Sequence, residues 1–550
     1  MRRTLLLLLA LALLAVPATA RERPRLVVVV VIDQFREDYL YRFHDHFLPA
    51  RAADGSPGGF RYLLDNGAWQ RQCFYDTFPT ETGVGHATLL TGTGPRMHGV
   101  ISNTWFEPSE GRVVDVIEDS RYPRITSRHR PAAQRPDEFG VSPHRMESET
   151  LGDVLKLASP QSRVVSVALK DRAAVMMGGR RADVCLWYDR TTGNFVSSRY
   201  YLPDGNLPDW VERANGEAWA DRDFERVWEP LLPPLFQEGT RPSGEVGASS
   251  LADMNQGFPH AVRFNLDRPE PAYYEILCYT PLTMEYVLRM ARRALEAEAM
   301  GRDEHTDLLL VSLNSNDLLG HLLGPYSPEM QDFVLRTDRE LAGLFGQLHR
   351  AGLLQSSLLV LASDHGVGPL PPPEQRLDPT RLKPQAEAAL TRLLGPGPHV
   401  QDASVPEVYL APSARRPDAV AAACRALEEL PGIERAADTR SLTPEDPLFR
   451  SVHPRRSPEI LLVLKPYWLA TGKPDGASHG TPWSYDAHVP LVLCGPGVQP
   501  GVYRRPSSPR DLAPTLAELL WLTPPSKVTG RVLEECLSAA GRRSSAPGSP

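Results

Sequence analysis

The sequence predicts an α/β protein with a large, mostly parallel central sheet flanked by helices and covered by inserted cap segments. Three observations predict this. Apolar runs with little polar relief, such as Val27–Ile32, read as strands buried on both faces. Amphipathic helical stretches alternate with these runs, and strand, helix, strand at this spacing implies right-handed crossovers between parallel strands. The chain has 550 residues, 42% hydrophobic and 23% charged, which allows a large core in one domain with insertions.

Taken in order, residues 1–20 read as a secretory leader. Arg2 and Arg3 form its basic start, Leu5–Val16 its apolar stretch and Ala18-Thr19-Ala20 a small-residue cleavage site. The apolar stretch is shorter than the roughly 20 residues of a membrane span, and no later run is longer. A periplasmic or secreted protein without stable membrane insertion is expected. Val27–Ile32 is then the first strand. Ser148–Ala158 reads as a helix and Arg163–Leu169 as a strand. Met284–Ala299 is rich in Ala, Glu, Arg and Leu, which favour helix, and the strand Asp307–Leu313 follows. Ser327-Pro328 is an N-cap with proline at the first helical position. Met330, Phe333, Val334, Leu341, Leu344 and Leu348 then recur with helical period, and Gly352 stops that helix. Leu358–Ala362, Ile460–Leu464 and Val489–Cys494 read as further strands, and Asp511–Leu520 as the last helix.

The main domain is expected to span 21–540, with insertions at about 106–147, 190–275 and 370–455. The first two are rich in Pro, Arg, Trp and Asp and read as segments that cover a site. The third carries its own helix, Pro417–Leu430, and reads as a smaller subdomain. Residues 541–550 read as a disordered tail. The formal charge is −7, and loss of Arg2 and Arg3 with the leader takes it to −9. With no basic tract, nucleic-acid binding over an extended surface is not expected, and a monomer acting on small molecules is the simplest reading. The six cysteines, Cys73, Cys185, Cys278, Cys424, Cys494 and Cys536, show no C-x-x-C spacing. Cys185 and Cys494 lie in apolar stretches and read as buried strand residues.

Polar residues with ligand chemistry stand at the ends of several strands. Asp33 ends Val27–Ile32; Asp317 and His321 follow Asp307–Leu313; Asp364 and His365 end Leu358–Ala362; His479 sits in Ala-Ser-His-Gly-Thr. In open parallel sheets, ligands bind beyond the carboxyl ends of strands. Asp317 and His321 have the i, i+4 spacing of one helical face. Oxygen and imidazole donors without thiolate suit Zn²⁺ or a similar divalent ion. Six such donors and the hydroxyl of Thr82 are too many for one metal and suit two metals with a nucleophile. Thr82 lies in Phe78-Pro-Thr-Glu-Thr-Gly, ahead of a helix start whose N–H groups favour phosphate oxygens; Thr80 is the alternative nucleophile. His488 opens an apolar strand and reads as a residue orienting a ligand or substrate. Lys170 and Arg172 follow Arg163–Leu169, where i and i+2 of an extended chain point the same way, so both would face one anionic group. Asn103 could donate an amide hydrogen bond to an oxyanion.

These blocks resemble the alkaline phosphatase superfamily. The resemblance rests on Val-Val-Ile-Asp33, Phe-Pro-Thr-Glu-Thr82-Gly-Val-Gly-His with Met-His-Gly-Val-Ile-Ser-Asn103 after it, Asp317-x-x-x-His321, and Ser-Asp364-His365-Gly, in that order. Ser-His479-Gly and Asp511-Leu-Ala-Pro-Thr support it. The chain is most similar to single-chain bacterial alkaline phosphatases with a Thr nucleophile, whose Lys-x-Arg pair is matched by Lys170 and Arg172. The related nucleotide pyrophosphatase/phosphodiesterases share the metal site but lack that pair. The sulfatase motif Cys/Ser-x-Pro-x-Arg is absent. The resemblance implies one Zn²⁺ on Asp317, His321 and His479, and a second on Asp33, Asp364 and His365 with Thr82. It implies hydrolysis of small phosphate monoesters through a phosphothreonine, with Asn103, Lys170 and Arg172 holding the non-bridging oxygens. A phosphodiesterase with the same two metals is the alternative.

Overall fold

The structure is a computed structural model that describes residues 23–130, 139–232, 247–249, 251–539 and 541–542. The leader read at 1–20 and the tail from 543 onward lie outside them. Ten strands form one sheet: β1 (Leu26–Ile32), β2 (Ala68–Gln70), β3 (Arg124–Ile125), β4 (Val164–Ala168), β5 (Val184–Tyr188), β6 (Phe195–Ser198), β7 (Asp307–Leu313), β8 (Ser357–Ala362), β9 (Leu491–Cys494) and β10 (Gly501–Tyr503). Their spatial order is β10-β2-β9-β8-β1-β7-β4-β5-β6-β3. The centre, β8-β1-β7-β4-β5, is parallel, whereas β9 and β6 run antiparallel to their neighbours.

β1 lies at the centre because both its faces are apolar. Val28, Val30 and Ile32 pack into one core with α4 (Pro281–Ala297) and α6 (Pro328–Arg350). Val27, Val29 and Val31 pack into a second core with α1 (Thr82–Thr91), α2 (Leu151–Ala158) and α3 (Asp171–Gly178). Period-2 alternation thus feeds two helical layers from one valine-rich strand. α5 (Ser315–Leu323) is the short helix that leaves β7 before α6 begins.

Two expectations about architecture change. Ile460–Leu464 is not part of the central sheet. It pairs with Glu407–Leu410 and Ile433–Asp438 in a four-stranded antiparallel sheet completed by Val400–Ala403. With the helices Leu382–Leu394 and Pro417–Glu428, this sheet has its own apolar core. The unit therefore extends past 455 to Leu464. The run misleads because both its faces are covered here too: Ile460, Leu462 and Leu464 face that core, while Leu461 and Val463 pack on Phe78 of the main body. In the segment read as an insertion at 190–275, Trp219, Phe224, Trp228 and Tyr273 are buried in the core shared with α4 and α6. All six cysteines are buried and free.

Candidate active site

Register assembles the site. β1 pairs with β7 so that Ile32 lies opposite Leu313, and with β8 so that Val31 lies opposite Ala362. One or two residues further on, Asp33, Asn314 and Asp364 therefore stand level. β7 pairs with β4 so that Ser312 lies opposite Ala168, which brings Lys170 to the same level. Asn314 joins three of these strands. Its amide donates to Asp33 Oδ2 at 2.8 Å, and its carbonyl accepts from the backbone N–H of Leu169 and Lys170 at 3.1 and 2.9 Å. Gln34 takes a left-handed backbone, φ 64°, which turns the chain so that its N–H reaches Asp364 Oδ1 (3.1 Å) and its amide reaches Asp317 Oδ1 (2.8 Å).

The three candidate histidines share one arrangement. His321 Nδ1 is 2.8 Å from Ala477 O, His365 Nδ1 is 3.0 Å from Gly366 O, and His479 Nδ1 is 2.6 Å from Thr80 O. A carbonyl only accepts, so each Nδ1 carries a proton, and in the neutral ring each Nε2 presents a lone pair. Those Nε2 atoms face carboxylates: His321 and His479 lie 3.2 and 3.4 Å from Asp317 Oδ1, and His365 lies 3.3 Å from Asp33 Oδ1. Ligand atoms of Asp317, His321 and His479 fall within 4.8 Å of one another, as do those of Asp33, Asp317 and His365. Asp317 thus reaches both groups, and Asp364 Oδ2 stands 3.5 Å from His365 Nε2.

The donor set fits divalent cations. Asp33 Oδ1, Asp364 Oδ2 and His365 Nε2 are buried with no hydrogen-bond partner, which is costly unless something charged binds them. Of the three buried carboxylates, two close on a single ammonium. Lys170 Nζ donates to Asp33 Oδ2 (2.8 Å), to Asp317 Oδ2 and to Thr82 Oγ1 (3.3 Å). Burial and the Asp317 carboxylate push Asp33 up, yet Lys170, His365 and His86 hold it below the ordinary range. Asp364, by contrast, is raised to about 6 by burial and by Asp33. One lysine does not neutralise the cluster.

Thr82 begins α1, and its neighbours explain how it is held. Gly83 N–H donates to Asn103 Oδ1 at 2.7 Å, and the Asn103 NH₂, with no hydrogen-bond partner among the described residues, can face an oxyanion. Glu81 fixes Asn103 by accepting from its backbone N–H (2.7 Å) and from Ser102 Oγ (2.9 Å). His86, one turn along α1, joins Thr82 O to Ser312 Oγ, both at 2.8 Å, and lies 3.2 Å from Asp364 Oδ2. Gly85 is needed for close approach: a Cβ there would sit 2.2 Å from the Asp364 carbonyl oxygen. Thr80 turns away, its hydroxyl donating to Thr481 O at 2.8 Å.

Arg172 and His488 stand elsewhere than the sequence predicts. Lys170 and Arg172 are not successive residues of an extended strand, because the chain turns into α3 at Asp171. Lys170 enters the carboxylate cluster, whereas Arg172 lies on the first helical turn with Nε buried and without a hydrogen-bond partner. His488 does not touch the cluster. Its Nε2 meets Arg71 O at 3.0 Å, and its ring stacks on Phe74 at 4.2 Å. Glu81, His86, Gln34 and Asn314 were missed. The His86 signal was available, since it stands i+4 from Thr82 on a helix.

Comparison with known proteins gives the family of the chain. The sequence model of the type I phosphodiesterase / nucleotide pyrophosphatase family matches residues 27–488. The chain is 30% identical to alkaline phosphatase PhoV of Synechococcus elongatus, covering 93% of this chain and 92% of that protein. It is also 30% identical to alkaline phosphatase PafA of Elizabethkingia meningoseptica, over 93% and 94%. A crystal structure of wild-type PafA superposes with a TM-score of 0.84 at 28% identity, covering 94% of this chain and 99% of that one. The chain belongs to the type I phosphodiesterase / nucleotide pyrophosphatase family.

Proposed function

We propose that this chain is an alkaline phosphatase that hydrolyses small phosphate monoesters, acting outside the cytoplasm with two zinc ions. Asp317, His321 and His479 would hold one ion, and Asp33, Asp364 and His365 with Thr82 the other. Bound there, such ions supply Lewis acidity, lowering a hydroxyl pKa and stabilising a leaving oxygen. Thr82 Oγ, freed of its proton, attacks phosphorus; the P–O bond to the leaving group breaks and the alcohol departs with a proton. Water then attacks the phosphothreonine, releasing phosphate and restoring Thr82. Asn103 donates to a non-bridging oxygen, and the α1 amino terminus favours the phosphoryl charge. Positioning and charge stabilisation are the main catalytic contributions in such transfers.

The observation that carries the monoester reading is Lys170 Nζ, 3.3 Å from Thr82 Oγ1. A monoester dianion bears one more negative charge than a diester, and a buried ammonium beside the nucleophile favours the more charged substrate. The names of the 30%-identical relatives support the same reading. The family match favours a second reading, a diesterase or nucleotide pyrophosphatase with the same metals. The deciding measurement is kcat/KM for an aryl phosphate monoester and its matched diester. The monoester is expected to win, and Lys170→Ala with Arg172→Ala to cost it about 10²-fold or more, as loss of charged hydrogen bonds does, with a smaller loss on the diester. Higher efficiency on the diester in the unmodified enzyme would overturn the assignment.

A further inference from the structure

A second concentration of charge lies at the opposite end of the sheet. α4 and α6 both finish beyond the amino ends of β7 and β8, which they precede in the chain. β7 alone, at about 3.3 Å per residue, puts roughly 20 Å between this region and Asp33, Asp317 and Asp364. Between the two helix ends is a cavity of about 400 Å³ lined by Arg289, Arg292, Arg293, Arg302 and Arg350. Five arginines converge on it in a chain whose net charge is −7.

Few of these charges are matched. Arg292 pairs with Glu340 at 3.1 Å and Arg293 with Glu217 at 2.7 Å. Arg289 has no carboxylate partner among the described residues; its guanidinium lies over Trp219, 4.8 Å from the ring centre. Among the described residues the Arg302 guanidinium donates only to the Ala351 carbonyl, at 3.4 Å. Arg350 forms no ion pair among the described residues. The one acidic side chain lining the cavity, Glu296, accepts from Gln347 at 3.0 Å. A cation at a helix carboxyl end offsets the helix dipole, which accounts for Arg350 at the end of α6. It does not account for Arg302, which lies on no helix, or for the convergence of all five on one concavity.

We infer that this cavity binds a multiply charged phosphoryl anion, at a site separate from the hydrolytic centre. Guanidinium forks match phosphate oxygens two at a time. The volume falls within the range of small-molecule sites, about 300–1,000 Å³, and exceeds what a single inorganic phosphate needs. The phosphoryl group could belong to a soluble polyphosphate or to a phospholipid headgroup at an envelope surface.

The test uses the metal-loaded, full-length protein and the charge-reversed variant Arg302→Glu/Arg350→Glu, with Arg302→Lys/Arg350→Lys as the conservative control. Both positions are exposed, so folding is expected to survive, and unchanged turnover of an aryl phosphate checks that it has. One arm titrates tripolyphosphate calorimetrically. The other measures co-sedimentation with phosphatidylcholine vesicles containing phosphatidylglycerol. Wild type is expected to bind at least one probe in a salt-sensitive manner. The reversed variant should lose about ten-fold or more in affinity per arginine, and the lysine variant much less. Loss confined to tripolyphosphate identifies a soluble anion, and loss on vesicles identifies a headgroup. Binding that is equal in wild type and the reversed variant, or absent for both probes in wild type, would overturn the inference.

Discussion

At the carboxyl end of the central sheet, three aspartates gather in a buried cluster, and two of them, Asp33 and Asp317, hold one lysine. At the amino end, five arginines ring an open concavity with few acids nearby. The two groups have opposite sign and opposite construction. Each carboxyl-end side chain is fixed by a named partner: Asn314 for Asp33, Gln34 for Asp317, backbone carbonyls for all three histidines. The arginines sit on helix ends and a loop, half-buried or exposed. Charge held in fixed geometry out of water can direct chemistry, because little reorganisation remains to be done. Charge on long, solvated side chains attracts but does not align. Substitutions at the two ends should therefore differ in kind: loss of turnover at one, loss of binding at the other.

The largest expected effect tests the carboxyl end directly. Thr82→Ala should lower phosphatase kcat/KM by roughly three or more orders of magnitude, as removal of a nucleophile does, and abolish phosphoenzyme trapped by acid quench. Thr80→Ala should retain most activity, since its hydroxyl is spent on Thr481 O. If the trapped phosphoenzyme survives Thr82→Ala and disappears in Thr80→Ala, the roles are reversed and the geometry around Lys170 has been misread.

Gly85→Ala comes next and tests how tightly that end is built. The added methyl would meet the Asp364 carbonyl oxygen at 2.2 Å and its Cβ at 2.7 Å. Backbone cannot yield as a side-chain tip can, so α1 must move away from β8. Overpacking of this kind costs about 1–3 kcal/mol, visible as a lower Tm. The displacement should also reduce bound metal per chain, because Asp364 moves with its backbone. An unchanged Tm together with full metal content would mean that the helix and strand are looser than these contacts imply.

Much of this end was legible in the sequence, and the reasons are specific. Val27–Ile32 has no polar residue until Asp33, so strand and strand end are marked together. Asp364-His365-Gly and Asp317-x-x-x-His321 carry two ligand types at fixed spacing. What joins them was not legible. Register between β1, β7, β8 and β4 depends on long-range pairing, so the level alignment of Asp33, Asn314, Asp364 and Lys170 has no local signature. Asn314 and Glu81 are single polar residues beside stronger motifs, and only their hydrogen bonds single them out. Ile460–Leu464 was assigned to the wrong sheet because a run buried on two faces looks the same in either. The arginine pocket draws on two helices and a loop: Arg289, Arg292 and Arg293 share one short string, and only the fold brings Arg302 and Arg350 to it.

The smallest expected effect falls at the amino end and sharpens the contrast there. Arg350 closes α6, and removing a cation from a helix carboxyl end costs about 0.3–1 kcal/mol. Arg302 lies off any helix, and the one hydrogen bond its side chain makes among the described residues, 3.4 Å long and exposed, contributes little. Arg302→Ala should therefore shift stability by no more than about 0.5 kcal/mol, as exposed substitutions do, and leave aryl phosphate turnover unchanged. Thermal melts with and without tripolyphosphate then separate two uses of the same charge. A ligand that binds only the folded state raises Tm in proportion to its occupancy, so wild type should gain stability from the anion and Arg302→Ala should gain less. If Arg302→Ala instead melts several degrees lower without any anion, the arginine is there to hold the loop before β7, and the contrast between an aligned end and a merely attractive one fails at that residue.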